Sequence, residues 1–531
     1  MTFLPIVERE LREASRRRET FRIRHIMAAA ALFGGGWIML AMIDSAPQRL
    51  GETLMGTLAA GVYLYCALVG VFTTADCLSE EKREGTIGLL FLTDLKGYDI
   101  VFGKLAASSL NAFYGVLAVF PVMAIPLLVG GVTVAEFWRI VLVSLNILFF
   151  SLSAGMFCSA LSRDERRAMV GTILVLLFFT IGLPVIGAIG SSFGLVDGSY
   201  IWWFLVPTLY AQAHGAFDGM LKSVGMEKFV ASVVTTHVIA WVMLGLAARK
   251  LPHTWQDKAM TAKQQRRQEK LQRWELGAAE VRRAGRTRWL DWNPFYWMLT
   301  RHRAKPLAGW SLVGLTAIIW AVGLAKYPRD WQNDVSYIFT AVCLHTILKW
   351  WLATEAARNF SHQRQIGALE LLLSTPITVK ELVRGQIRAL EWQFAGPVAV
   401  VVMADVVFLL AGQRSGEILL MWIVGILIFL LDLVTLAYVG MWRGLNNRRA
   451  NRAAASTVVQ VLVVPWMIFF GLATLMGLGG GFRGNDAGYV MIVAWFVISL
   501  VTDWVLLAPA KESLHEHFRR VATERFSGGK S

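Results

Sequence analysis

The sequence predicts an all-α polytopic membrane protein with about twelve transmembrane helices, arranged as two parallel six-helix repeats. Three observations support this fold class: apolar runs of membrane-spanning length, a long internal repeat, and an uneven distribution of basic residues. Of the 531 residues, 56% are hydrophobic, which exceeds the roughly 45–50% of soluble domains. Several apolar runs reach about 20 residues, the length that crosses a hydrocarbon core of roughly 30 Å.

Six apolar runs precede a basic segment and six follow it, and each run predicts one span. The predicted spans are 24–44, 56–76, 105–129, 138–161, 168–190 and 229–248 in the first half, and 308–325, 335–355, 391–411, 417–442, 453–477 and 488–509 in the second. This pattern divides the chain into a first half (1–248), a basic linker (249–288) and a second half (289–531).

An internal repeat relates the two halves. Residues 75–105 align with residues 357–387 at a constant shift of 282, without a gap. The identical pairs include Ser79/Ser361, Gly85/Gly367, Leu89/Leu371, Leu90/Leu372, Thr93/Thr375, Val101/Val383, Gly103/Gly385 and, further on, Gly130/Gly412. Because the repeat unit is half of the chain, it indicates duplication of a domain and not a solenoid.

The basic residues predict the orientation of the spans. With the N-terminus in the cytoplasm, 43 of the 52 Lys and Arg residues fall in cytoplasmic segments and 7 in external loops. Cytoplasmic segments of membrane proteins carry such an excess, so both termini are predicted to be cytoplasmic. Each half then begins on the same side, which predicts parallel repeats related by an axis along the membrane normal. Topology thus accounts for the net charge of +15, and binding of nucleic acid is not expected.

Residues flanking the spans predict interfacial segments. Residues 3–24 place apolar side chains at helical spacing among arginines, which suits a helix lying at the membrane surface. An aromatic segment, 289–297, holds the corresponding place before the second half. The four cysteines show no spacing of metal ligands and are interpreted as packing residues. The lipid bilayer is therefore a predicted partner.

The repeated stretch carries the motif that points to a function. In each half a short charged amphipathic segment joins the second apolar run to the third, with glycine, paired leucines and threonine at fixed spacing. Its residues are Glu84, Gly85, Thr86, Leu89, Leu90 and Thr93 in the first half, and Gly367, Leu369, Glu370, Leu371, Leu372, Thr375 and Pro376 in the second. This pattern resembles the type-two ABC-transporter permease family, as two permease halves fused in one chain. Gly88 and Asp94 of the first half depart from Glu370 and Pro376 of the second, so unequal binding of a partner is expected.

The resemblance implies a membrane-spanning subunit of an ATP-binding-cassette exporter in a bacterial cytoplasmic membrane. In that family two six-helix halves build the pathway, and the loop after the second span docks into a groove on a separate ATPase subunit. Two ATPase subunits would then carry ATP and Mg²⁺, and the chain itself would be a transporter subunit without enzyme activity or cofactor. From periodicity alone, the loop segments fit equally well as helices lying on the bilayer.

Ionisable residues inside the apolar runs are the remaining candidates, because charges within a membrane commonly have a function. Asp405 and Asp432 are interpreted as residues that either line the pathway or pair with a neighbouring helix. Asp503, His237 and His345 are interpreted as capping or hydrogen-bonding groups. Two other functions stay open: a secondary transporter coupled to an ion gradient, and an intramembrane enzyme or scaffold. The substrate is not indicated, and lipid, glycan, peptide and drug all fit.

Overall fold

A computed structural model describes most of the chain. The described residues are 19–43, 45–92, 95–192, 201–254, 292–301, 304–412, 415–447, 450–478 and 487–524, with seven single positions between 266 and 290. Within these ranges the secondary structure is helical and no strand occurs. The predicted interfacial helix is described only from residue 19 onwards, where it is continuous with the first span.

The chain forms two compact units, Met1–Ala259 and Met260–Ser531. The boundary falls within the segment 249–288 that the sequence assigns to a linker, most of which lies outside the described residues. The limits of the two halves and of the linker remain predictions. Each unit has its own large apolar core, the first including Phe150 and the second including Phe429.

The first unit contains six long helical segments joined by shorter helices. The long segments are Glu19–Ala41, Pro47–Thr73, Gly97–Leu117 (extended by Phe120–Met123 and Ile125–Val129), Val134–Leu161, Glu165–Leu177 (extended by a π-helical turn and Leu183–Ser192) and Met226–Thr254. The shorter helices are Cys77–Glu84, Thr86–Phe91, Ile201–Leu205, Leu209–Gly215 and Asp218–Val224.

The second unit has a matching set. Its long segments are Ala304–Lys326, Asp334–Gln365, Val379–Ala411, Gly416–Asn446, Ala450–Val458 (extended by a π-helical turn and Val464–Leu478) and Ala487–Glu516. Its shorter helices are Pro294–Thr300, Pro328–Trp331, Ala368–Leu373 and Phe518–Thr523.

Twelve helical segments among the described residues are long and apolar enough to cross a membrane, and each corresponds to one predicted span. The predicted fold class, an all-α polytopic membrane protein, is confirmed. Several helices extend beyond the predicted limits: the eighth runs over Asp334–Gln365, where hydropathy predicted 335–355. The extension has a simple cause, because a helix continues into polar sequence as long as its backbone hydrogen bonds are satisfied.

The shift of 282 found in the sequence also relates the helix starts of the two units. The third span begins at Gly97 in one unit and at Val379 in the other, and the fourth begins at Val134 and Gly416. The fourth spans also begin with the same kind of N-cap. The hydroxyls of Thr133 and Ser415 each accept a hydrogen bond from the backbone N–H of the residue three positions later. Such caps satisfy N–H groups that have no partner within the helix.

The fifth span contains a π-helical turn in both units. The turn covers Phe178–Gly182 in the first unit and Val459–Val463 in the second. Pro184 and Pro465 follow within two residues. Proline has no N–H and its ring crowds the preceding turn, and a single wider turn is a common local adjustment in such helices. Pro184 and Pro465 are thus accommodated within their spans.

Small residues bring the second and fourth spans of each unit into close contact. A Cβ added at Gly70 would lie 2.1 Å from the carbonyl oxygen of Ser151. In the second unit, a Cβ at Gly444 would lie 2.1 Å from the carbonyl oxygen of Ala357. Small residues permit this approach, which is a general feature of helix packing in membranes. The loop between the second and third spans therefore begins at a closely packed pair of helices.

Candidate functional site

Each unit carries a short helix, directly after a glycine, in the loop between its second and third spans. The first loop helix is Thr86–Phe91 and the second loop helix is Ala368–Leu373. Each follows a glycine in the left-handed region, Gly85 with φ 74° and Gly367 with φ 71°. Glycine adopts this conformation without the steric cost that a Cβ imposes. The repeated glycine therefore turns the chain sharply out of the preceding helix.

Both loop helices bury one apolar side chain and expose another. Ile87 and Leu369, which are equivalent under the shift of 282, are buried in the cores of their own units. Leu90 and Leu372 are half-buried and pack against the same cores. Leu89 and Leu371 are 65% and 71% exposed. Each loop helix is thus fixed by one face and presents a leucine on the other.

The structure separates residues that the sequence grouped as a single docking set. Adjacent residues of a helix do not face the same side, so Leu89 and Leu90, and likewise Leu371 and Leu372, do not form one exposed pair. Glu84, Gly85, Glu370, Thr375 and Pro376 are exposed, Thr86 and Gly367 are half-buried, and Leu369 is fully buried. Thr93 lies outside the described residues.

Two further apolar residues at these loops are exposed. Leu92 follows the first loop helix, and Ile366 precedes Gly367 at the second; both side chains are largely exposed. The sequence places Leu92 with Leu89 and Leu90 on the apolar side of the segment, and the alignment pairs Ile366 with Glu84. The repeat does not share these two residues, because each apolar residue occurs in one half only.

The segment preceding the first loop helix is held by the end of the fourth span. The Oγ of Ser159 accepts from the backbone N–H groups of Leu78 and Ser79, at 2.9 Å and 3.0 Å. The ammonium of Lys82 donates to the carbonyl oxygen of Ala160 at 2.5 Å and to the hydroxyl of Thr254 at 3.2 Å. Lys82 thus caps carbonyl groups at a helix C-terminus, where a positive charge is favourable.

A buried ion pair holds the first loop helix from its other side. The Lys104 ammonium, in the third span, lies 2.6 Å from Glu81 Oε1. The hydroxyl of Thr86 hydrogen-bonds to the same carboxylate through Oε2. Both charged side chains are largely shielded from solvent, where breaking a pair is costly because one charge remains uncompensated. The first loop helix is therefore linked to the second, third and fourth spans.

The second loop is held by an equivalent arrangement. Ser361 donates to the carbonyl oxygen of Asn447 at 3.1 Å. Arg364 donates to the carbonyl oxygens of Leu445 at 2.5 Å and Glu524 at 2.6 Å. Arg364 is the repeat equivalent of Lys82. In both units a cation before the glycine therefore connects the loop to the end of the fourth span and to the segment at the end of the sixth.

The two aspartates proposed from the sequence are both paired. Asp405 Oδ2 lies 2.8 Å from His345 Nε2, and the His345 ring stacks on Phe429 with ring centroids 4.0 Å apart. Asp432 Oδ2 lies 2.5 Å from the Lys349 ammonium. Of the two interpretations left open by the sequence, the geometry of both residues corresponds to pairing with a neighbouring helix.

A third carboxyl group of the second unit is buried within a span. Asp503, on the last span, is 5% exposed, and its Oδ2 atom is buried without a hydrogen-bond partner. The sequence interpreted Asp503 as a capping or hydrogen-bonding group. No group of three or more His, Cys, Asp or Glu suited to a metal ion occurs within the described part of the chain.

Comparison with known proteins gives one family match, over part of the first unit. Residues 4–195 match the family model described as ABC-2 family transporter protein. No curated protein matches the chain significantly. The family match confirms the resemblance that the loop motif indicated, and with twelve apolar helices it indicates a transmembrane transporter subunit, a permease. The match covers the first loop helix and its supporting residues named above, except Thr254.

Proposed function

We propose that this membrane permease is the transmembrane subunit of an ATP-driven exporter, and that its two loop helices dock into separate ATPase subunits. The observation that carries the proposal is the exposure of Leu89 and Leu371 at equivalent positions of the two loops. An apolar side chain on a short helix outside the spans gains stability when a partner covers it. A helix lying in a groove is a common solution.

The contacts around each loop support a mechanical role. Lys82 and Ser79 bind the end of the fourth span in the first unit, and Arg364 and Ser361 do so in the second. A displacement of either loop helix by a partner would therefore be transmitted to the spans to which it is bound. This is the property required of an element that couples ATP hydrolysis to movement of the membrane helices.

The proposal assigns ATP and Mg²⁺ to the partner. One chain supplies both halves of a pseudo-two-fold pathway, so one permease chain would bind two ATPase subunits. With the predicted orientation, both loops face the cytoplasm, where the ATPases and ATP are present. A stable complex of two permease chains with only two ATPases would contradict this stoichiometry.

The two loops are expected to contribute unequally. The second loop has Glu370 and Pro376, which complete the family pattern, where the first has Gly88 and Asp94. We therefore expect the second loop to bind its ATPase more strongly than the first.

The ion-coupled alternative receives less support from the geometry. A coupling carboxylate must bind and release its ion in contact with the pathway. Asp405 and Asp432 instead form close contacts with His345 and Lys349. The paired arrangement favours a structural role for both, and the loop helices favour a partner ATPase.

The decisive experiment compares single charged substitutions on the exposed leucines. The full chain is co-expressed with an ABC ATPase of its own host, and ATPase recovered per permease is measured after affinity purification. Leu89→Asp and Leu371→Asp are expected to lower recovery, and the double variant to abolish it. Truncating a central interface anchor typically costs about 2 kcal/mol or more, and a charge in its place costs more. Leu371→Asp should have the larger effect.

Two measurements separate docking from misfolding. Membrane levels of the variants should equal those of the wild type, because both leucines lie outside the twelve spans and are exposed. Leu161→Asp, at an exposed leucine ending the fourth span, is the matched control and should keep the ATPase bound. Full ATPase recovery with the double variant would show that the loop helices do not dock, as expected if they rest on the bilayer.

A further inference from the structure

The ion pair that supports the first loop helix has no counterpart at the equivalent positions of the second unit. Lys104 pairs with Glu81, and the hydroxyl of Thr86 bonds to the same carboxylate. Under the shift of 282, the three equivalent positions are uncharged: Gln386, Gln363 and Ala368. Both polar atoms of the Gln386 side chain are buried without a hydrogen-bond partner, so this amide does not hold the loop. The second loop helix therefore depends on other contacts.

A short helix that follows the last span packs against the second loop helix. This C-terminal helix, Phe518–Thr523, begins after a single turn residue at the end of the last span. It contacts both the second loop helix and the fourth span of the unit. Leu369 of the loop helix lies in the same apolar core as Phe518 and Ala522, and each of the three is at most 1% exposed. The C-terminal helix thus contributes to burying the inner face of the loop helix.

Three phenylalanine rings join the C-terminal helix to the segment that leads into the second loop. Phe518 meets Phe360 edge to face, with ring centroids 5.3 Å apart and planes at 78°. Phe360 in turn stacks on Phe295, at 5.8 Å and 11°. All three rings are at most 1% exposed, and both arrangements are favourable for aromatic pairs. Because Phe360 lies near the end of the second span, Asp334–Gln365, the C-terminal helix is fixed to the helix from which the loop begins.

A charged hydrogen bond adds a second link between the C-terminal helix and the loop. Arg364, three residues before the left-handed Gly367, donates to the carbonyl oxygen of Glu524 at 2.6 Å. Glu524 is the C-cap residue of the C-terminal helix, and hydrogen bonds from a charged donor are among the stronger ones. In the first unit the corresponding contact comes from the last residue of the sixth span, where Thr254 bonds to Lys82 at 3.2 Å. A separate helix supplies it only in the second unit.

We propose that the C-terminal helix positions the second loop helix for its ATPase, with the Phe518 ring and the Glu524 carbonyl as the positioning groups. The inference rests on the proposed docking function and assigns a role to a segment outside the spans and outside both loops. The C-terminal helix does in the second unit what the pair of Lys104 with Glu81 does in the first. A helix of six residues is not stable by itself in water, so loss of this support should release the second loop helix and leave the first in place.

Amide hydrogen exchange of the purified permease, without ATPase, tests the support directly. Phe518→Ala in the full chain, and a chain ending at His517, should each raise exchange in Ala368–Leu373 by about tenfold or more, because local opening governs exchange. Exchange in Thr86–Phe91 should stay at the wild-type rate. A chain ending at Glu524 lacks only residues 525–531 and should match the wild type in both loop helices.

The matched control is Phe429→Ala. Phe429 is as fully buried as Phe518 and belongs to the same core, so both variants create a cavity and should lower the melting temperature. Phe429 stacks on His345 within the spans and should leave exchange in Ala368–Leu373 unchanged. This comparison separates support of the loop from general loss of stability.

Combined variants measure the consequence for docking. Phe518→Ala should lower ATPase recovery to about the level of Leu371→Asp, and adding it to Leu371→Asp should cause no further loss. Added to Leu89→Asp, it should abolish recovery, because both loops are then impaired. Phe429→Ala should leave recovery unchanged in each background.

Unchanged exchange in Ala368–Leu373 with Phe518→Ala would overturn the proposal, and this full-length variant decides the matter if the chain ending at His517 does not accumulate. An equal rise of exchange in Thr86–Phe91 would also overturn it, since the effect would then not be specific to the second loop. Failure of docking itself is read separately, from full ATPase recovery when Leu89 and Leu371 are both replaced by Asp.

Discussion

Lys82 and Arg364 make equivalent contacts in the two units. They are related by the repeat shift of 282, and each donates to a backbone carbonyl at the end of the fourth span of its own unit: Lys82 to Ala160 and Arg364 to Leu445, both at 2.5 Å. Duplication has thus preserved the role of a cation at this position while its chemical identity changed.

Replacing either cation should destabilise its unit. Lys82→Met and Arg364→Met each remove hydrogen bonds from a charged donor, worth about 1.5–3 kcal/mol, and leave helix carbonyls without partners. We expect lower melting temperatures in detergent for both variants. Arg388→Met is the control, since its pair with Glu391 is exposed and such pairs contribute about 0–1 kcal/mol. Equal melting temperatures in all three variants would contradict the capping role.

The left-handed glycines offer a second test. Gly85→Ala and Gly367→Ala place a Cβ in a region that costs roughly 1–2 kcal/mol, although no atom lies within 4 Å of the added carbon. We expect faster amide hydrogen exchange in the adjoining loop helix and weaker recovery of the ATPase. Gly425→Ala adds a methyl group in equally open space at an ordinary helical position and should change neither. Normal exchange in both loop variants would argue against a glycine-dependent turn.

A glycine-to-alanine substitution should affect stability differently where the second and fourth spans are in close contact. At Gly70 and Gly444 the added methyl group would meet a backbone oxygen at 2.1 Å, and overpacking typically costs 1–3 kcal/mol. Both alanine variants should show reduced thermal stability and lower membrane levels. Gly61→Ala, with no atom within 4 Å, should be neutral or slightly stabilising. Wild-type stability of Gly70→Ala and Gly444→Ala would mean that the helices can separate without cost.

The orientation of the chain is tested with reporter fusions. Reporters placed after Thr254 and after Thr523, which end Met226–Thr254 and Phe518–Thr523, should both report the cytoplasm. A fusion after Lys326, at the end of the seventh span, should report the external side. The reason is the excess of Lys and Arg in the segments assigned to the cytoplasm. An external signal at either of the first two sites would contradict the predicted topology.

The sequence predicted the helices and their repeat with useful accuracy. Hydropathy located all twelve spans, because burial in lipid requires continuous apolar sequence. The alignment of Gly85 with Gly367 identified positions that the structure finds in the same left-handed conformation. The same alignment located the segments that form the two loop helices, and residues 4–195, which include the first of them, match the transporter family model.

The repeat could not predict which loop residues are exposed and which pack on the core. Leu89 and Leu90 are adjacent leucines of the same motif. Leu89 is exposed, whereas Leu90 packs on the core. Which side faces the unit depends on the angle at which the loop helix leaves Gly85. That angle is set by distant contacts, among them the pair of Lys104 with Glu81.

By itself the sequence determined the number of spans, the duplication and the motif of the loops, since each depends on composition or on spacing along the chain. Only the tertiary structure decided which leucines are exposed, and which charges meet inside the second unit. Lys349 and Asp432 lie on two different spans, separated by 83 positions, and pair at 2.5 Å. Their contact depends on the rotation of each helix about its axis, which is fixed by packing and has no local signature in the sequence.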